Sequence, residues 1–121
     1  MGVVGDLPSV VTTISGPCLV VKVRGAMDYV WQPELRERLK KVIAPGERAV
    51  VLDLADVTFC DSAGLNVLLG AHREARTAGV ALVLVCVPGT LHRVLEMTRA
   101  DQILRVFDTV AEAEAVCGAR Q

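Results

Sequence analysis

Residues 50–65 read Val50-Val51-Leu52-Asp53-Leu54-Ala55-Asp56-Val57-Thr58-Phe59-Cys60-Asp61-Ser62-Ala63-Gly64-Leu65. From Ala49 to Leu54 the run is almost continuously apolar, which marks a central strand covered on both faces. A short acidic turn follows, and then the apolar spacing changes. Leu65, Leu68, Leu69, His72 and Ala75 keep helical spacing, while Asn66, Gly70, Arg73, Glu74 and Thr77 fall opposite. A helix over 62–77 is therefore predicted, with Gly79 as its C-terminal stop. The stretch is a strand feeding a helix through a tight turn, and it sets Ser62 on the helix N-terminus.

Upstream, Val10 to Ile14 and Cys18 to Val23 are rich in β-branched residues and are split by Ser15-Gly16-Pro17, the pattern of a hairpin. Gly25-Ala26-Met27-Asp28 breaks that pattern as a turn. Pro33 suits the first turn of a helix in which Leu35, Leu39 and Val42 share a face, with Glu34/Arg38 and Glu37/Lys41 paired on the wet side. Pro45-Gly46 ends that helix. Downstream, Val80 to Val87 reads as another covered strand closed by Pro88-Gly89. A helix near 90–97, a short strand near 104–107 and a last helix near 110–116 complete the chain. Strands alternating with helices after an opening hairpin predict an α/β fold. It is a mixed sheet of about five strands flanked by about four helices, in one domain over 9–117 with tails at 1–8 and 118–121.

The chain has 121 residues, 52% of them hydrophobic and 22% charged, with a net charge of -1. That is enough to bury a core without disulfides or a metal. No basic stripe runs along it, so neither nucleic acid nor an anionic membrane is an expected partner. No apolar run is long enough to cross a bilayer, and Met1 to Pro8 show no export signal. Cys18, Cys60, Cys86 and Cys117 form no Cys-x-x-Cys pair and read as small hydrophobes, which fits a reducing, cytoplasmic setting.

Catalytic chemistry finds little support. A nucleophilic serine needs a base, and the chain has only His72 and His92. His72 lies roughly 15 Å along the helix axis from Ser62 at about 1.5 Å per residue. Asp61-Ser62-Ala63-Gly64 also lacks the glycine of a nucleophile elbow. No metal-ligand spacing and no Gly-rich phosphate loop is present, so neither a cofactor nor a metal is expected. Asp53 at the end of an apolar strand has the placement of a phosphoryl-accepting aspartate, but no acidic pair follows the first strands to hold Mg²⁺. The plainer reading has it flank the strand end. For Ser62 two readings stand: a helix cap, since Ser and Asp both favour that position, or a surface hydroxyl open to modification.

The block Val51-Leu52-Asp53-Leu54 through Val57-Thr58-Phe59-Cys60-Asp61-Ser62-Ala63-Gly64-Leu65 resembles the signature of the anti-sigma factor antagonists, the STAS-domain family. In the family an apolar strand is followed by Asp-Ser-Ser/Thr-Gly-Leu opening a helix. Gly25-Ala26-Met27-Asp28 is similar to its upstream Gly-Glu-Leu/Ile-Asp turn, and Leu91 to Thr98 to its segment before the last strand. Ala26 stands where the family has glutamate, which leaves partner choice open. Ala63 replaces the second hydroxyl residue, so Ser62 is the one acceptor in the motif.

The resemblance implies a single STAS-like domain and no enzymatic activity. It implies that the unphosphorylated form binds an anti-sigma factor with serine kinase activity, freeing a sigma factor. Phosphorylation on Ser62 ends binding, and a serine phosphatase resets the switch. The implied contact residues are Asp28, Tyr29, Asp61, Ser62, Gly64, Leu65 and Asn66. They lie on a surface running from the turn 25–30 to the start of the second helix and its exposed side at Gly70. Tyr29 and Trp31 are either anchors for a partner or packing under the first helix. A second reading keeps the same surface in a STAS scaffold subunit of a larger sensory or transport complex that is never phosphorylated.

Overall fold

Apolar side chains on both faces of the central strand are buried, against different helices. The computed structural model describes residues 9–16, 18–43 and 49–118. In chain order the elements are β1 (Ser9–Ser15), β2 (Cys18–Met27), α1 (Gln32–Val42), β3 (Ala49–Cys60), α2 (Ser62–Ala78), β4 (Leu82–Val85), α3 (Gly89–Met97), a 3₁₀ turn (Ala100–Gln102), β5 (Arg105–Phe107) and α4 (Val110–Gly118). The five strands form one sheet in sequence order, β1-β2-β3-β4-β5. β1 and β2 pair antiparallel, and all later neighbours pair parallel.

Val50, Leu52 and Leu54 belong to the larger core with Leu35 and Leu39 of α1, Val67 and Leu68 of α2, and Leu91 and Leu95 of α3. Val51, Val83 and Val85 pack on the opposite face against Ala113 and Cys117 of α4. Three crossover helices thus share one face, as same-handed crossovers between successive parallel strands require, and α4 covers the other. The expected α/β architecture holds. Residues 1–8, Pro45-Gly46 and 119–121 lie outside the described residues; α4 runs through Gly118, one residue into the expected tail.

Three boundaries differ from the sequence reading. β2 continues to Met27, so Gly25-Ala26-Met27 is strand and the turn begins only at Asp28. β3 continues to Cys60, where an acidic turn after Leu54 was expected. The reason is shared. The pairing of β2 with β3 persists to Met27↔Cys60 but slips twice, between Lys22 and Arg24 and between Gly25 and Ala26, each time with one extra residue in β3. After each slip the inward-facing position falls three residues on, and Leu54, Val57 and Cys60 face the core while Ala55, Asp56, Thr58 and Phe59 are exposed. Such bulges erase the period-two signal. Conversely, β4 is shorter than the apolar run 80–87. The Val80 N–H is taken by the Ala75 carbonyl at 2.8 Å, and Cys86 adopts φ 55.

Asp53 is not at a strand end. It lies inside β3 opposite Val85, and its Oδ1 accepts a hydrogen bond from the Ala55 N–H at 3.0 Å. Lys22 and Arg24 pair with Asp56 at 3.4 and 3.8 Å. Among the described residues no group of three or more His, Cys, Asp or Glu side chains is placed to hold a metal ion, and no helix is long and apolar enough to cross a membrane.

Candidate functional site

The C-terminal ends of β2 and β3 lie side by side, so the loops that leave them meet. The Asp61 N–H donates to the Met27 carbonyl at 3.3 Å, which ties the start of α2 to the end of β2. Gly64 makes the approach closer still. A Cβ there would overlap the Met27 carbonyl oxygen and lie 2.7 Å from Cys60 Sγ. Only glycine lets the first turn of α2 rest on the strand end.

Asp61 caps α2. Its backbone is extended (φ -101, ψ -166), and its Oδ1 accepts from the Ala63 and Gly64 N–H groups at 2.9 and 3.0 Å. This removes the cap reading of Ser62. Ser62 is the first helical residue, it is exposed, and its hydroxyl has no hydrogen-bond partner among the described residues. The capping work belongs to its neighbour, and the serine hydroxyl holds nothing in place.

Asp28 does the corresponding task on the other loop. Its Oδ1 accepts from the Val30 and Trp31 N–H groups at 3.1 and 3.2 Å, an Asx-type closure that leads into α1. The closure turns Trp31 onto the core, where it is half-buried, and leaves Tyr29 outside at 74% exposure. The two candidate anchors therefore separate: Tyr29 is presented and Trp31 packs. Asn66 is exposed one helical turn above Ser62. Gly64 and Leu65 are buried and position the site from within; Gly25, Ala26 and Met27 are buried as well.

Two apolar side chains complete the rim. Val30 is 58% exposed and Phe59 55% exposed. Phe59 pairs in register with Ala26, one residue before the β2 end from which Tyr29 and Val30 depart. Phe59 is not among the expected contact residues, because the strand was expected to end at Leu54; in the structure β3 continues and the bulge at Thr58 turns Phe59 outward. Burial and the Asp61 carboxylate push the Cys60 thiol up to about 11. Cys60 is thus a neutral packing group at physiological pH, with no nucleophilic character to lend the site.

The histidines lie elsewhere. His72 is half-exposed on α2, and His92 pairs with Glu96 at 3.6 Å on the outer side of α3. Neither makes a hydrogen bond to Ser62 among the described residues.

A fold of this topology is shared with known proteins. The sequence matches the STAS domain family over residues 9–113, and the chain belongs to that family. An anti-sigma F factor antagonist of Paenibacillus polymyxa is 27% identical over 96 residues, covering 78% of this chain and 82% of that protein. An anti-sigma-B factor antagonist of Staphylococcus aureus is 28% identical over 95 residues, covering 78% and 88%. The crystal structure of an anti-sigma factor antagonist from Mycobacterium paratuberculosis has the same fold, with a TM-score of 0.82 at 24% identity over 93% of this chain and 95% of that one.

Proposed function

We propose that this protein is an anti-sigma factor antagonist acting in the cytoplasm, and that the charge state of Ser62 decides whether it binds. The observation that carries this reading is the division of labour at the start of α2: Asp61 caps the helix, and Ser62 stands exposed with no hydrogen-bond partner for its hydroxyl among the described residues, at the end of the sheet where Tyr29, Val30 and Phe59 are exposed. Unphosphorylated, this end docks on an anti-sigma factor with serine kinase activity. Asp28, Tyr29, Asp61, Ser62 and Asn66 face the partner, and Gly64 and Leu65 support them. Phosphate transferred to the Ser62 hydroxyl adds about -1.5 to -2 charges at pH 7. A serine phosphatase removes it.

The physical effect on folding is small. A charge near a helix N-terminus gains about 0.3 to 1 kcal/mol from the dipole, and repulsion from the Asp61 carboxylate opposes that gain. The two amides nearest the position already donate to Asp61, so the phosphate remains in solvent. At an interface the same charge meets an apolar partner surface or a carboxylate. Burying it unpaired costs about 3 to 4 kcal/mol, roughly 10² to 10³ in affinity.

The test is incubation with the cognate anti-sigma factor and ATP, followed by mass-spectrometric mapping. A single phosphate on Ser62, abolished in Ser62→Ala, is the expected result. A stable complex with no phosphate anywhere on the chain would favour the scaffold reading instead.

A further inference from the structure

We infer that β1 is a self-association edge, and that two copies of this chain pair β1 to β1, antiparallel, into one continuous ten-stranded sheet. β1 ends the strand order, with β2 on its inner side and, among the described residues, no strand on its outer side. Edge strands are ordinarily blunted by charge, proline, shortness or a covering element. The opposite edge, β5, follows that rule: it has three residues, and exposed Arg105 lies over the Phe107 ring. β1 does not. It is seven residues long and reads Ser9-Val10-Val11-Thr12-Thr13-Ile14-Ser15, with neither charge nor proline. Residues 11–14 are all exposed, Val11 at 53% and Ile14 at 73%, although the run consists of strong strand formers.

The occupant follows from the sequence of the edge. Antiparallel neighbours must pair residues whose backbone groups both point outward, so a two-fold axis between identical strands passes through a residue position. Centred on Thr12, it sets Ser9 against Ser15, Val10 against Ile14, Val11 against Thr13, and Thr12 against itself. Five of the seven positions find a partner of like polarity, Val11 and Thr13 match in β-branched shape, and no charge meets its own image. Val10 of each copy then covers the exposed Ile14 of the other on the same face. The axis stands perpendicular to the sheet, so strand directions reverse across it. The two Ser62 ends point to opposite poles of the dimer, and each is free to hold a partner.

Sedimentation velocity across a concentration series tests this. The expected result is a species of twice the 12.9 kDa chain mass, with Val11→Lys and Ile14→Lys each weakening self-association roughly tenfold or more by setting charges across the axis. Thr12→Cys under mild oxidation should link to its own counterpart in the second copy, as peptide mapping reads directly. A monomer at every concentration up to millimolar overturns the inference. So does a dimer unmoved by either lysine, or a link from position 12 to any other thiol. Circular dichroism and melting temperature confirm that the lysine variants remain folded. The readout is mass alone, so it stands or falls independently of the Ser62 switch.

Discussion

At the residue scale the site rests on a separation between two adjacent side chains. Asp61 accepts from the Ala63 and Gly64 amides at the α2 start, whereas the Ser62 hydroxyl beside it makes no hydrogen bond among the described residues. Asp61→Ala is therefore expected to cost about 0.5 to 2 kcal/mol of stability, and Ser62→Ala to leave the urea midpoint unchanged; equal losses in the two variants would contradict the assignment of the cap. Gly64 is the other residue with no substitute. Its added Cβ meets backbone at Met27, not the movable end of a side chain. Gly64→Ala is expected to lose about 3 kcal/mol, at the upper end of overpacking penalties, measured by the same denaturation. Leu65, Asp61 and Ser62 could all be found by reading the motif. That Gly64 serves the β2 end could not, because nothing local says which backbone lies above it.

At the element scale, the paired ends of β2 and β3 build the surface. The two slips in their register turn Phe59 outward and leave Tyr29 and Val30 on the departing loop. Phe59→Ser and Tyr29→Ala should each weaken anti-sigma factor binding at least tenfold, as apolar contact residues do. The melting temperature should stay within a degree or two, since neither side chain is in the core. A loss of stability matching the loss of affinity would return both residues to a packing role. The α2 helix carries a pH dependence of its own. Burial, and then the charges of Arg76 and Arg73, hold the His72 pKa below its ordinary 6.5. The unfolded chain then binds the proton more readily than the folded one. Stability is full above about pH 6.5 and falls as pH drops from there to the folded-state value. His72→Gln should flatten the melting temperature across that window, and an unchanged slope would show the dependence to lie in other groups.

At the scale of the whole molecule, binding and folding draw on different parts of the structure. The core lies between the sheet and its helices, and the exposed rim lies at one end of it. Ser62→Glu is accordingly expected to lose roughly 10² to 10³ in affinity for the anti-sigma factor by calorimetry, with an unfolding curve superposing on that of the wild type. A shifted curve would mean that the charge acts through the fold. The order of elements, the mixed sheet and the serine at the helix start were all legible in the sequence, because apolar periodicity and capping are local and one-dimensional. Gly25 to Met27 as strand, Phe59 on the surface and the freedom of Ser62 from capping were not. Each depends on the register between two strands distant in the chain. By itself the sequence determined which elements form and what chemistry Ser62 offers. Only the tertiary structure decided which neighbours surround it, since bulges and backbone contacts between β2, β3 and α2 fix side-chain direction after local pattern has ceased to.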